Sequence, residues 1–232
     1  MKKAMRYDLF LFDADDTLFD FKSCELQAFT KTLHHFGWQQ DVAELYKTYG
    51  AESLILWSEV EQGKISKDFL KTERFRRTFA RHGVELPSVD VGDVYLEILP
   101  ETCVLIEHAF EVCRDLSARG VVGIITNGFE AVQRRRLAGS GLAPFVRFMV
   151  VSEQCGFAKP DVRFFEHTAL VAGDFSKARI LVIGDRLESD IAGAHAFGVD
   201  SCWFNPSRLR ASVVRPTYEI ERLSELMAIV LE

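Results

Sequence analysis

The amino-acid sequence predicts an α/β fold, in which a doubly wound parallel sheet has helices on both faces and carries an all-helical insert. Short apolar runs of strand character recur at residues 7–12, 121–125, 146–151, 180–183 and 199–204. These runs are almost continuous in apolar residues, which is typical of strands buried on both faces. Segments of helical character at residues 129–139, 162–172 and 188–197 lie between the later runs. Each has about the length that a βαβ crossover needs.

The length and the apolar pattern of the interval after the first predicted strand indicate an inserted helical domain. About 80 residues separate Phe19 from Pro100, too many for one crossover, and their apolar residues recur at helical spacing. Glycine-containing breaks divide the interval into three or more helices, and Ser66 is placed to cap the helix that follows it. We therefore predict a catalytic core of residues 1–19 and 100–232 and a helical domain of residues 20–99.

The composition excludes several classes of function. Of the 232 residues, 48% are apolar and 27% are charged, which suits a globular core with a smaller insert. The net charge of −6 gives no electrostatic basis for binding nucleic acid. Five scattered cysteines favour reduced thiols and a cytoplasmic location over a disulfide framework. No run approaches the ~18 consecutive apolar residues of a membrane span, so we expect no membrane partner.

Two carboxylates follow the first predicted strand. Asp13 ends the apolar run and Asp15 lies two residues later. Ligands of open α/β sheets bind beyond the carboxyl ends of the strands, so Asp13 lies where chemistry is usually done. Two carboxylates so close repel each other unless a cation or a shared proton relieves them. The pair therefore predicts a metal site, an acid and base pair, or both.

Polar residues suited to one reaction follow the other predicted strands. Thr126 and Asn127 end the second, Lys159 follows the third after a loop, and Asp185 ends the fourth. Asp190 comes five residues later, at a helix start that it could also cap. Carboxylates suit a hard cation, whereas hydroxyl, amide and ammonium groups suit phosphate oxygens.

In this order, the four motifs resemble those of the haloacid dehalogenase-like phosphohydrolase superfamily. The resemblance extends from residue 7 to about residue 206, and the helical domain occupies the place of the family's C1 cap. It implies that Asp13 is a nucleophile that forms an aspartyl-phosphate, and that Asp15 is the general acid and then the base. It also implies that Thr126 and Lys159 bind the phosphoryl oxygens, with the assistance of Asn127.

The resemblance further implies a Mg²⁺ cofactor. The carboxylates of Asp13 and Asp185 and the backbone carbonyl of Asp15 would be its protein ligands. Asp190 would orient the waters on the metal, or Lys159.

The sequence at residues 12–21, 124–129 and 184–191 is also similar to that of the bacterial pyrimidine 5′-nucleotidase branch of this superfamily. This implies a monomer or homodimer that removes phosphate from nucleoside monophosphates. A broad-specificity phosphatase acting on sugar phosphates or other small molecules is the alternative. Further alternatives are a phosphomutase, a dehalogenase and a non-catalytic binding module.

Two groups of charged residues are predicted to have no part in the chemistry. Asp16 is interpreted as a solvated turn residue. The consecutive residues Arg134, Arg135 and Arg136 point in different directions on a helix, so we interpret them as a solvated helix face.

Overall fold

In the computed structural model, residues 5–210 and 214–231 are described, and within them six parallel strands form one sheet. The strands are β1 (Leu9–Phe12), β2 (Val121–Thr126), β3 (Phe148–Val151), β4 (Ile180–Gly184), β5 (Asp200–Phe204) and β6 (Tyr218–Ile220). Their order across the sheet is β3-β2-β1-β4-β5-β6. The predicted doubly wound α/β fold is therefore confirmed. The chain winds to one side of β1 and then returns to its other side, so the order reverses between β1 and β4.

The central strand explains why the apolar runs are continuous. Leu9 pairs in register with Val121 of β2 and with Ile180 of β4, and every residue of β1 is buried. One face of β1 presents Leu9 and Leu11 to an apolar cluster that includes residues of two helices. The five predicted strands are confirmed, with ends that differ by one or two residues. Strand β6 was not predicted, because this edge strand has three residues and an exposed glutamate at its centre.

Two compact units make up the chain. One comprises Met1–Phe21 and Val104–Glu232, and the other comprises Lys22–Cys103. The helical unit contains α1 (Phe21–His35), α2 (Ala43–Glu61), α3 (Lys67–His82) and α4 (Ser88–Ile98), of which α1 begins at the unit boundary. The Ser66 side chain accepts a hydrogen bond from the Phe69 backbone N–H, as predicted for a cap of α3.

An aromatic core holds the helical unit together. Four buried aromatic rings pack in series, and the centre of each ring lies within about 6 Å of the centre of the next. They belong to Phe29, Tyr49, Phe75 and Tyr95. The two ends of the unit are also joined, because the Thr102 hydroxyl donates to the Cys24 carbonyl at 2.9 Å.

The helices of the sheet-containing unit are α5 (Ala109–Ser117), α6 (Glu130–Gly139), α7 (Ser152–Cys155), α8 (Val162–Ala172), α9 (Ala192–Phe197) and α10 (Leu226–Val230). The predicted helices at 129–139 and 162–172 are confirmed. The segment predicted as one helix at 188–197 begins instead with a wider π-type turn at Leu187–Ile191, which continues into α9. No helix in the described part of the chain is long and apolar enough to cross a membrane.

The two segments that leave and re-enter the sheet-containing unit are hydrogen-bonded to each other. Asp20 N donates to the Val104 carbonyl at 3.0 Å, and Ile106 N donates to the Leu18 carbonyl at 2.9 Å. The loop after β1 is thus fixed at both ends, by β1 itself and by this short antiparallel pairing.

Candidate active site

Asp13 lies at the carboxyl edge of the sheet, next to the place where the strand order reverses. Its backbone N–H donates to the Ile183 carbonyl of β4 at 2.8 Å, so the β1–β4 pairing continues through this residue. The residue is 8% exposed. Asp185 follows the neighbouring strand β4 directly. The structure therefore brings these two carboxylates to the crevice where open α/β sheets bind ligands.

Lys159 lies between two of the carboxylates. Its ammonium group donates to Asp13 Oδ1 at 2.5 Å, to Asp190 Oδ1 at 2.6 Å and to the Ile125 carbonyl at 3.0 Å. These bonds use all three donors of the ammonium group, which explains how a residue that is only 2% exposed keeps its charge. Burial alone would lower the pKa of Lys159, but the Asp13 and Asp190 carboxylates hold it above its ordinary value.

Both carboxylate oxygens of Asp190 accept hydrogen bonds. While Oδ1 accepts from Lys159, Oδ2 accepts from the backbone N–H of Arg186 at 3.1 Å. A side chain at Gly184 would collide with this carboxylate, so the glycine that ends β4 leaves the space that Asp190 fills. Asp190 thus contacts Lys159, as the resemblance implied, and also accepts a backbone N–H at the start of the π-type turn.

Three carboxylates converge here. Oxygen atoms of Asp13, Asp185 and Asp190 all lie within 4.8 Å of one another. The pKa of Asp13 is raised to about 7, mainly by burial and also by the neighbouring Asp190 and Asp15 carboxylates, while Lys159 opposes the rise. Burial, and after it the Asp13, Asp190 and Asp16 carboxylates, raise the pKa of Asp185 to about 8. One ammonium group does not balance three carboxylates, and a set of hard oxygen atoms with excess negative charge fits a divalent cation such as Mg²⁺.

The Asn127 side chain ties the Lys159 loop to the end of β2. Asn127 Nδ2 donates to the Lys159 carbonyl, and the Lys159 backbone N–H donates to Asn127 Oδ1, both at 2.9 Å. The amide group thus supports the lysine backbone, and the phosphate contact expected of Asn127, through its backbone or its amide, stays a prediction. Thr126 is buried at the end of β2, and its Oγ1 accepts from the Gly128 N–H at 3.0 Å.

Asp15 is bound by side chains of α6. Gln133 Nε2 donates to Asp15 Oδ2 at 2.6 Å, and Arg136 Nη1 donates to Asp15 Oδ1 in a short ion pair. The prediction of a solvated arginine face is therefore wrong for Arg136, which is 0% exposed, although Arg134 and Arg135 are exposed. The spacing of three residues between Gln133 and Arg136 places them on one helix face, which is the signal that sequence reasoning missed.

Asp16 is also more than a solvated turn residue. It is half-buried, has a φ of 58°, and its Oδ1 accepts from the Phe21 backbone N–H at 3.1 Å. The positive φ belongs to the left-handed region, which aspartate tolerates better than most residues because its side chain bonds the local backbone. Asp16 therefore supports the first residue of α1.

Comparison with known proteins identifies the family to which this site belongs. The family model described as haloacid dehalogenase-like hydrolase matches residues 7–198, which include every residue of the site.

The chain belongs to this hydrolase family. It is 35% identical to the HAD-hydrolase YfnB of Bacillus subtilis over 228 residues, which cover 97% of this chain and 96% of YfnB. A solved structure of YfnB bound to magnesium has a TM-score of 0.90 against this chain at 34% identity, covering 97% of this chain and 98% of the other.

Two further relatives have named activities. The hydrolase is 35% identical to the pyrimidine 5′-nucleotidase PynA of Streptococcus pneumoniae, over 96% of this chain and 94% of PynA. It is 32% identical to the pyrimidine 5′-nucleotidase YjjG of Escherichia coli, over 96% of this chain and 97% of YjjG. The resemblance predicted from the four motifs is thereby confirmed, and the protein is an enzyme.

Proposed function

We propose that this hydrolase is a Mg²⁺-dependent phosphomonoesterase that acts through an aspartyl-phosphate, with pyrimidine nucleoside 5′-monophosphates as its substrates. The observation that carries the proposal is the buried Lys159 ammonium between Asp13 and Asp190, beside the Asp185 carboxylate at the carboxyl edge of the sheet. The similarity to PynA and YjjG supports the substrate class.

The side chains divide the reaction between them. An Asp13 oxygen attacks phosphorus in line, and the bond from phosphorus to the leaving oxygen breaks. The Asp15 carboxyl group gives its proton to that oxygen, and its carboxylate then takes a proton from the water that hydrolyses the aspartyl-phosphate. Lys159 places a positive charge beside Asp13, where it offsets the charge of the transferring phosphoryl oxygens, and Thr126 contributes its hydroxyl group there.

The residues present fit Mg²⁺. The Asp13 and Asp185 carboxylates would hold the cation, because they are hard oxygen ligands that lie close together, and the Asp15 backbone carbonyl would be the further ligand that the family resemblance implies. When bound, the cation supplies positive charge that favours the ionised nucleophile and the phosphoryl oxygens. Asp190 has both oxygens engaged by Lys159 and by the Arg186 N–H, which suits a role outside the ligand set, orienting the lysine.

Stability should depend on pH and on the cation together. A carboxyl group with a raised pKa in the folded protein stabilises the fold below its unfolded pKa, and this stabilisation is lost as the pH rises through its folded pKa. The pKa of Asp13 rises from 3.8 to about 7 and that of Asp185 from 3.8 to about 8. We therefore expect the cation-free protein to lose stability from about pH 4 to about pH 8, and Mg²⁺ to raise its unfolding temperature most at the upper end.

Thermal unfolding with EDTA and with Mg²⁺, at matched ionic strength, measures this effect. A Mg²⁺-induced rise in unfolding temperature that is equal at both ends of the pH range would contradict the assignment of the carboxylate cluster as the cation site.

The helical unit is proposed to be a C1 cap that supplies contacts to the leaving group. Its support is its place in the chain, directly after the first motif, and its content of four helices. Residues 22–103 would then determine which alcohol is accepted.

Initial rates of phosphate release test the substrate class. The panel comprises UMP, dUMP, dTMP, purine monophosphates, FMN and sugar phosphates, at equal Mg²⁺. We expect pyrimidine monophosphates to have the highest kcat/KM, by about tenfold or more over sugar phosphates. Sugar phosphates preferred over every nucleotide would instead favour the broad-specificity phosphatase.

A further inference from the structure

Helix α6 contacts the proposed acid and base, Asp15. Each oxygen of the Asp15 carboxylate accepts from a different side chain, Oδ2 from Gln133 and Oδ1 from Arg136. The two donors are also in contact, since Arg136 Nη1 lies 3.5 Å from Gln133 Oε1. We call Gln133 and Arg136 the clamp. With both oxygens bound, the plane and the direction of the Asp15 carboxylate are fixed.

The clamp is buried. Gln133 is 2% exposed and Arg136 is 0% exposed, whereas a quarter of the Asp15 side chain (28%) remains exposed. Burial of a guanidinium group is costly unless it is paired, and the pairing here is with a carboxylate that still faces solvent. Space for the clamp is provided by Gly128, because a side chain there would collide with Gln133 Nε2.

Arg136 also contacts the segment that leads away from the site. Its guanidinium carbon lies 4.3 Å from the ring centre of Phe19 and 5.5 Å from that of Phe21. These distances are within the range of cation–π contacts. Both rings therefore restrict the guanidinium group, so that its position is set by α6 and by the segment after β1 together.

We propose that Gln133 and Arg136 are positioning residues for proton transfer by Asp15. This inference rests on the proposed function and deepens it. Without the clamp, the Asp15 side chain is free to occupy other rotamers, in which it reaches neither the leaving oxygen nor the hydrolytic water. Attack by Asp13 does not use the clamp.

The reaction has two half-reactions, and Asp15, which the clamp positions, transfers a proton in each. In the first, the bond between Asp13 oxygen and phosphorus forms, the ester bond breaks, and the leaving oxygen takes the Asp15 proton. In the second, a water oxygen bonds to phosphorus, the Asp13–phosphorus bond breaks, and the water proton passes to the Asp15 carboxylate. Asp15 ends in its original protonation state, so proton and electron counts balance over one turnover.

Two substrates separate proton transfer from attack. A nucleoside leaves as an alkoxide that needs a proton, whereas p-nitrophenolate is a stable anion that leaves without one. For Arg136→Met and Gln133→Leu we expect kcat on dUMP to fall by about 10²-fold, while the first turnover of p-nitrophenyl phosphate keeps its rate within about threefold. Rapid-mixing absorbance measures the first turnover, and phosphate release measures kcat.

Further variants distinguish positioning from folding. Arg134→Met, an exposed arginine on the same helix, is the matched control and should leave both rates unchanged. Arg136→Lys keeps the charge and should recover part of the dUMP activity. The double variant Asp15→Asn with Arg136→Met should be no slower than Asp15→Asn alone, because residues that act as one unit are not additive.

The outcomes separate the two proposals. If the wild type releases no phosphate, or if Asp13→Asn is as active, the proposed function fails whatever the clamp does. If the wild type depends on Asp13 but both clamp variants slow dUMP and first-turnover p-nitrophenyl phosphate equally, the clamp is structural and this inference is overturned. Unchanged dUMP turnover in Gln133→Leu and Arg136→Lys together overturns it as well, even if Arg136→Met does not fold.

Discussion

Replacement of Asp13 by asparagine should abolish turnover while leaving the fold intact. The substitution keeps the shape of the side chain but removes the nucleophilic oxygen, so we expect kcat on every phosphomonoester to fall by about 10⁴-fold or more. Steady-state phosphate release measures this loss, and acid-quenched protein from the wild type, but not from the variant, should carry phosphate that is labile at alkaline pH.

The stability of Asp13→Asn distinguishes loss of chemistry from loss of folding. The wild type has three carboxylates around one ammonium group, of which Asp13 and Asp190 are buried, and removal of one lessens their mutual repulsion. Lys159 keeps its bonds to Asp190 and to the Ile125 carbonyl. We therefore expect the cation-free variant to unfold at a temperature at least as high as the wild type near pH 8.

An exposed carboxylate on the same unit gives the control. Asp174→Asn removes a charge of the same sign from the surface and should change neither turnover nor unfolding temperature measurably. Turnover of Asp13→Asn comparable with that of the wild type would contradict the assignment of Asp13 as nucleophile.

The sequence was informative about the fold where the physical signal is local and repeated. The strands are buried on both faces, so each is a continuous apolar run that is visible without tertiary information. Strand β6 escaped prediction because Tyr218–Ile220 has one buried residue and pairs only at the edge of the sheet. A short edge strand takes its structure from the neighbouring strand, and a single sequence does not identify that neighbour.

The candidate site likewise contains residues that the sequence predicts and one that it does not. Asp13, Thr126 and Asp185 were identified because each ends an apolar run, and parallel strands bring such ends to one edge. Arg136 was missed because an arginine beside two others on a helix has the pattern of a solvated surface. Its burial depends on Asp15, which lies more than a hundred residues earlier in the chain. Pairings of this kind depend on the tertiary fold, which local periodicity does not encode.

The second large effect is expected for Lys159→Met. The substitution leaves Asp13 and Asp190 buried without their ammonium partner, and breaking a buried ion pair on one side typically costs about 3–5 kcal/mol. Because Lys159 lowers the pKa of Asp13 in the wild type, that pKa should be higher in the folded variant. The stabilisation that raised pKa values give is present in acid and is lost as the pH rises through them. The variant should therefore lose most stability near neutral pH and least at low pH, as measured by urea unfolding across the pH range.

A double-variant cycle separates the charge of Lys159 from its catalytic role. Asp190→Asn added to Lys159→Met removes one of the stranded carboxylates, so it should restore part of the free energy of unfolding near neutral pH. Phosphate release should stay low in the same double variant, because the Lys159 ammonium group is no longer beside Asp13 to offset the charge of the phosphoryl oxygens. Lys64→Met, at an exposed lysine, controls for loss of one positive charge. Recovery of turnover together with stability would mean that Lys159 serves only to neutralise Asp190, and its assignment to phosphoryl transfer would have to be abandoned.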